Sequence, residues 1–175
     1  MFIAHISAGY LLTRSCLNVF QVPKSSVQPL FWAGLLAGVL PDVDWLYFYL
    51  VDAQQHNHHS YWTHIPLFWV CGYFLLIPWT LIFKLQKVFV VLTVVFINVI
   101  GHMVLDTMSG GIRWGAPFSE HYTVLIPIES RHDWSVLNYF LHWSFLIELA
   151  LVGLSLRSWR QSKSSAMRNS VLFIE

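Results

Sequence analysis

Residues 65–83 read IPLFWVCGYFLLIPWTLIF, 19 consecutive positions without a charge. As a helix rising about 1.5 Å per residue, this run reaches about 28 Å, close to the hydrocarbon thickness of a bilayer. Lys84 and Lys87 punctuate it, and residues 88–105 (VFVVLTVVFINVIGHMVL) continue for 18 more uncharged positions before Asp106. The spacing predicts two spanning helices joined as a tight hairpin. Residues 136–156 form a third long apolar stretch, interrupted only by His142 and Glu148 and ending at Arg157, Trp159 and Arg160. The N-terminal third holds shorter apolar pieces: Met1 to about Phe20, Pro29 to Leu40, and Trp45 to Val51. The first of these reads as a retained helix, because it lacks a basic leader and Arg14 interrupts it. Gly34 and Gly38 make a small-xxx-small pair suited to close helix approach.

Composition points the same way. Of 175 residues, 56% are apolar and 17% aromatic, while only 11% are charged, against about 25% in soluble domains. Such a chain, with ten basic and nine acidic residues, is neither disordered nor collagen-like, and it lacks the basic excess of a nucleic-acid binder. The expected fold is all-α, a multi-pass transmembrane bundle of about four to five helices. Residues 1–160 would be the membrane-embedded domain and 161–175 a short cytoplasmic tail. If the Lys84/Lys87 turn is cytoplasmic, alternation puts Arg14, Lys24, Arg157, Arg160, Lys163 and Arg168 on the same side, leaving Arg113 and Arg131 opposite. Trp45, Trp62, Trp114 and Trp134 then mark the outer interface and Trp159 the inner one. Arg14 would have to snorkel. The expected location is the plasma (inner) membrane.

With that topology, imidazoles and carboxylates from four segments collect at the outer, non-cytoplasmic level: His5, Asp42 and Asp44, then His56, His58, His59 and His64, and finally His102 with Asp106. His102 and Asp106 are spaced i,i+4 and leave one helix face a turn apart, as two ligands of one ion would. The alternative is that Asp106 accepts a hydrogen bond from His102 and ends the helix. Asp42 and Asp44 flank one valine, a spacing that lets both carboxylates, or one backed by the other, address a common site. Cys16 and Cys71 have no paired spacing, so a metal would be held by nitrogen and oxygen. Mixed His and Asp donors favour zinc or manganese. The candidate ligands are His5, Asp42, His59, His64, His102 and Asp106, with His58, Asn138 and His142 supporting them from behind. That set exceeds one tetrahedral shell, so either two ions or one well-supported ion would account for it. Glu148, deeper in the last stretch, is six residues from His142, which puts the two on different faces. It would be functional, protonated, or bonded to Asn98.

His5, LPDVD at 40–44, HHSYWTH at 58–64, GHMVLD at 101–106 and WGAPFS at 114–119 together resemble the LexA-regulated, membrane-bound metal-dependent hydrolase family, over most of residues 1–120. Members usually carry His-Arg and then Thr-His in the second motif. His59, Thr63 and His64 match it, whereas Ser60 stands where the arginine would be. Arg113 or Arg131 is the candidate replacement for substrate binding. The His102–Asp106 spacing also looks like the ligand pair of zinc-dependent phospholipase C and related nucleases. The resemblance implies a hydrolase and leaves its substrate open.

The expected chemistry is a metal-activated water attacking an ester or phosphoester of a lipid or another amphiphile, with Asp44 as general base. Membrane lipids are the expected surroundings and nucleic acid is not an expected partner. The alternative is a metal-binding transporter or a non-catalytic membrane protein. Transport wants polar groups near the midplane and repeated halves, and residues 65–105 offer only Thr80, Thr93 and Asn98 before the His102 motif.

Overall fold

The computed structural model describes residues 3–133 and 135–171. Met1, Trp134 and residues 172–175 of the expected tail lie outside the described residues. The chain is all-helical: α1 (Ala4–Val19), α2 (Lys24–Ala37), α3 (Asp44–Leu50), α4 (Pro66–Ile82), α5 (Gln86–Ser109), α6 (Ser135–Leu141) and α7 (Phe145–Val171), with short 3-10 turns at Pro41–Val43, His58–Ser60 and Trp62–His64. Among the described residues there is no strand, only an isolated bridge between Ile112 and Thr123.

Helix α5 is the axis, packing on α1, α2 and α4, while α1 also packs on α2 and α7. Contacts fix the directions. His5 meets Asp106 and Thr13 meets Asn98, so α1 and α5 are antiparallel. The α1–α2 crossing rests on missing side chains. A Cβ on Gly38 would lie 3.3 Å from the Gly9 Cα, and one on Gly34 would lie 2.0 Å from the Thr13 hydroxyl oxygen. The Gly34/Gly38 stripe therefore does what its spacing suggests: it brings two backbones together.

The α4–α5 hairpin forms as the two lysines imply. Lys84 adopts φ +54°, and the Leu85 N–H reaches back to the Thr80 carbonyl at 2.7 Å, closing α4 with a left-handed cap. Pro66 opens α4, where a missing N–H costs nothing. The helix is consequently 17 residues long, shorter than the expected span, and among the described residues only α5 is both long and apolar enough to cross a membrane.

Three other expectations are corrected. Helix α2 starts at Lys24 rather than Pro29, which sits inside it. The 136–156 stretch is two helices, because His142 Nδ1 accepts the Ser144 N–H at 3.3 Å and faces the Ser144 hydroxyl at 2.9 Å, which stops α6 and lets α7 restart. Arg14 does not need to snorkel. Its Nη1 donates to the Tyr10 hydroxyl at 3.2 Å, the Ser158 carbonyl at 2.5 Å, the Ser158 hydroxyl at 2.8 Å, and the Ser162 hydroxyl, tying α1 to α7.

The burial pattern is inverted relative to a water-soluble core. His5, Thr13, Thr93, Asn98, His102, Asp106, Ser144 and Glu148 are buried, whereas Phe74, Leu75, Trp79, Ile82, Leu146 and Leu154 are exposed. Inside, the polar groups hold one another: Asn98 donates to Thr13 at 3.1 Å, and Tyr73 pairs with Thr93 at 3.0 Å. Each such bond contributes about 0.6 kcal/mol in a membrane protein, and each also spares a buried polar group from standing alone.

A bulkier residue at the glycine crossing should therefore be costly. Gly34→Val is expected to destabilise by about 1–3 kcal/mol, seen as a lower Tm in detergent, while Gly72→Ala, where nothing lies within 4 Å, should leave Tm unchanged. Equal Tm values for the two variants would contradict the packing.

Candidate metal centre

Five segments deliver side chains to one end of the bundle. His5 comes from the first turns of α1, Asp42 and Asp44 from the turn after α2, His58, His59 and His64 from the two 3-10 turns before α4, and His102 with Asp106 from the last turns of α5. Asp106 is the hub. Its Oδ1 lies 3.2 Å from His5 Nε2, and its Oδ2 lies 3.0 Å from His102 Nε2, 3.5 Å from His59 Nε2 and 3.7 Å from His64 Nε2. Asp42 faces it across the group, with Oδ1 3.5 Å from His102 Nε2 and 3.8 Å from His64 Nε2.

The opposite ring nitrogens reveal where the protons are. His102 Nδ1 lies 2.9 Å from the Gly38 carbonyl, and His59 Nδ1 lies 3.2 Å from the Gly110 carbonyl. A carbonyl only accepts, so both Nδ1 atoms carry hydrogen, and in the neutral rings both Nε2 atoms present lone pairs inward. His64 is held similarly: its Nδ1 donates to Asp44 Oδ2 at 2.6 Å, an oxygen that also accepts the Thr63 hydroxyl at 2.6 Å. His64 Nε2 and His102 Nε2 are only 3.4 Å apart. A proton or a cation has to lie between such a pair.

Asp42, His64, His102 and Asp106 form a group able to hold a metal ion. A tetrahedron of ligands bonded at about 2.1 Å has edges of about 3.4 Å. The donor separations given above, 3.0, 3.4, 3.5, 3.7 and 3.8 Å, are of that size. The i,i+4 pair thus works as two inward-facing donors, with Asp106 also shared by three further histidines.

Electrostatics follow from burial and neighbours. Burial pushes the Asp44 carboxyl up, but His58, His64 and Thr63 outweigh it and hold the group well below the usual carboxylate range. Burial, reinforced by His58 and His64 and only partly offset by Asp106, lowers His59 to about 3, so its ring is neutral at pH 7. Burial lowers His64 as well, but Asp106 and Asp44 prevail and raise it to about 9. With no ion present, the inward position on His64 is taken by a proton that a metal would displace.

A cavity of about 780 Å³ opens onto this centre, with Asp42, His58, His59 and Asp106 on its wall together with Trp45, Asn138 and Tyr139. Asp44, expected as the general base, is not on that wall. It is 4% exposed and stands behind His64, where two donors occupy its Oδ2, so it orients the ring. His5 stacks on His102, ring centroids 3.8 Å apart, with Nδ1 3.7 Å from Asp42. Asn138 lines the cavity but spends its amide on the backbone of Arg131 and His132. His142 is engaged by Ser144, and His56 pairs with Asp52 at 2.7 Å on the surface. Arg113 is bound to Glu120 and the Ser60 carbonyl, each at 2.5 Å, and Arg131 pairs with Glu129 in the open. Neither arginine is on the cavity wall. Glu148 binds the Ile3 N–H at 2.8 Å and the Tyr139 hydroxyl rather than Asn98.

Sequence reasoning did not find the Gly38 and Gly110 carbonyls, since any residue supplies a carbonyl and only the packing directs it. Nor did it find Tyr139, whose single available signal was its place next to Asn138.

Comparison with known proteins bears on the whole chain. The family model described as YdjM inner membrane protein matches residues 1–174. No curated protein and no solved structure matches the chain significantly. The match covers the motifs that build the centre as well as the helices that carry them, and the chain belongs to the YdjM inner membrane protein family.

Proposed function

We propose that this chain is a multi-pass inner-membrane hydrolase that uses a divalent ion, zinc or manganese, on an ester or phosphoester of a lipid-like or amphiphilic substrate. The supporting observation is the set of inward donors from Asp42 and from the buried His64, His102 and Asp106, with Asp42 and Asp106 on the wall of a large cavity. An ion held by three of these donors, or by all four with a fifth position open to the cavity, would lower the pKa of a bound water towards neutrality and polarise the scissile group. Asp42, whose side chain is 30% exposed and faces the cavity, is the carboxylate positioned to take the proton from that water. Asp44 acts through His64: a carboxylate behind a ligating imidazole fixes its orientation and raises its basicity.

The substrate class follows from the cavity walls. Trp45, Ile128, Val136 and Tyr139 give apolar surface, and Asn57 and Ser130 give hydrogen-bonding groups. That mixture fits a molecule with a polar head and an apolar body. The basic residues at the other end of the bundle support a centre on the non-cytoplasmic side by the positive-inside rule, and the exposed apolar faces of α4 and α7 would meet lipid.

Protein purified in mild detergent should carry zinc or manganese by elemental analysis, and Asp106→Ala, which removes the hub, should carry none. At metal concentrations about 100-fold above Kd, binding should stabilise the fold by about 2.7 kcal/mol, and chelation should lower Tm accordingly. Metal-replete wild type should hydrolyse a chromogenic ester or phosphoester in mixed micelles, with Asp106→Ala inactive. A full metal complement without turnover would retire the hydrolase and leave a metal-binding membrane protein.

Asp44→Asn tests the orienting role. Metal affinity is expected to fall about 10- to 100-fold, measured by competition with a chromophoric chelator, while the metal-free fold is retained by circular dichroism. An unchanged affinity would remove Asp44 from the centre.

A further inference from the structure

The four donors of the ion described above leave His58 and His59 unused, yet His58, His59 and His64 are themselves a group whose ring nitrogens lie within 4.8 Å of one another. We infer that the centre binds a second cation, held by His58 and His59, with the Asp106 carboxylate shared between the two ions. The inference rests on the reading of this end of the bundle as a metal centre.

The geometry at His59 carries it. With Nδ1–H committed to the Gly110 carbonyl, His59 Nε2 points a lone pair at Asp106 Oδ2, 3.5 Å away. Two buried atoms that both carry lone pairs repel at that distance, and a cation between them would relieve that repulsion. The same Asp106 oxygen is 3.0 Å from His102 Nε2, so one carboxylate faces both donor sets. A shared carboxylate suits ions about 3.5–4 Å apart, the spacing of two-metal hydrolytic sites. His58 lies beside His59 on the cavity lining, the ring centroids 4.0 Å apart and its buried Nδ1 3.7 Å from Asp44 Oδ1.

Gly110 supplies an independent observation. Its φ is −90°, a conformation open to any residue, so the backbone does not require glycine there. The His59 ring does. A Cβ at Gly110 would lie 2.3 Å from His59 Cε1 and 3.1 Å from Nδ1. This position is shaped to keep that imidazole where it faces Asp106.

The second position also has the access that hydrolysis needs. His58 and His59 line the cavity with Asp42 and Asp106, whereas His64 and His102 are sealed behind them. Charge closes as well: Asp42, Asp44 and Asp106, with one hydroxide, neutralise two divalent ions. The first ion would then be the enclosed one, and the second the one that meets substrate.

Manganese titration of metal-free protein, followed by elemental analysis and electron paramagnetic resonance, tests this. Wild type is expected to take up two ions per chain and to show the spectrum of an exchange-coupled pair. His59→Ala and Gly110→Ala should each keep one ion with the spectrum of isolated manganese. One ion per chain in wild type, with an isolated-ion spectrum at saturation, overturns the second site while leaving the first intact. No ion in wild type overturns the metal centre itself. The wild-type spectrum decides the question even where a variant fails to fold, and two ions retained in a folded His59→Ala would also overturn the assignment.

Discussion

Asp106 and its ring of imidazoles are the constraint on which the rest of the structure depends. A carboxylate that is 1% exposed loses most of its hydration, and its ionised form survives only with close compensation. Four imidazoles provide the contacts, but a neutral imidazole has one N–H. At His59 and His102 that N–H is turned outward to a backbone carbonyl. Each of those carbonyls fixes which edge its ring turns to the buried carboxylate, so the imidazoles meet Asp106 in set orientations that a cation could use. Without an ion, a proton on His64 takes the inward position in the folded chain.

The helices are arranged to serve this geometry. The Gly38 carbonyl reaches His102 because α2 ends beside α5, and α2 fits there because Gly9, Gly34 and Gly38 remove the side chains that would hold α1 and α2 apart. Glu148 contributes from a distance. Its carboxylate takes the Ile3 N–H just before α1 and the Tyr139 hydroxyl on the cavity wall, linking the helix that carries His5 to the pocket. A buried acid in an apolar stretch is thereby explained as a brace between α1, α6 and α7.

Much of this was legible in the sequence where one local rule settled the outcome. Uncharged runs interrupted by Lys84 and Lys87 gave the α4–α5 hairpin, the i,i+4 spacing gave the shared face of His102 and Asp106, and the glycine spacing gave the α1–α2 approach. What stayed hidden depends on partners distant in the chain. Nothing near Arg14 indicates that Ser158 and Ser162 will receive it. Nothing in PDVD shows which aspartate faces the ligands and which stands behind His64, because one turn of 3-10 helix separates the two roles. The break at His142 escapes a hydropathy reading, since it comes from one side chain binding the backbone two residues on.

For the proposed hydrolase, the position of the centre at the end of the bundle is the argument against transport. A permeating ion needs polar groups that continue along the interior and are free to exchange partners. Below His102, the interior is instead filled by Val99 and Val94, each fully buried. The polar groups at that depth are mutually engaged, Asn98 with Thr13 and Thr93 with Tyr73, and Gly34 packs directly against Thr13. A hydrolytic site has the opposite needs: water from one side, an apolar wall for the substrate body, and a sealed floor beneath the metal that keeps the ligands rigid. The 780 Å³ cavity supplies the first two, with its polar and aromatic walls. The close-packed interior would supply the third, so the residues that argue against a pathway also suit the proposed hydrolase.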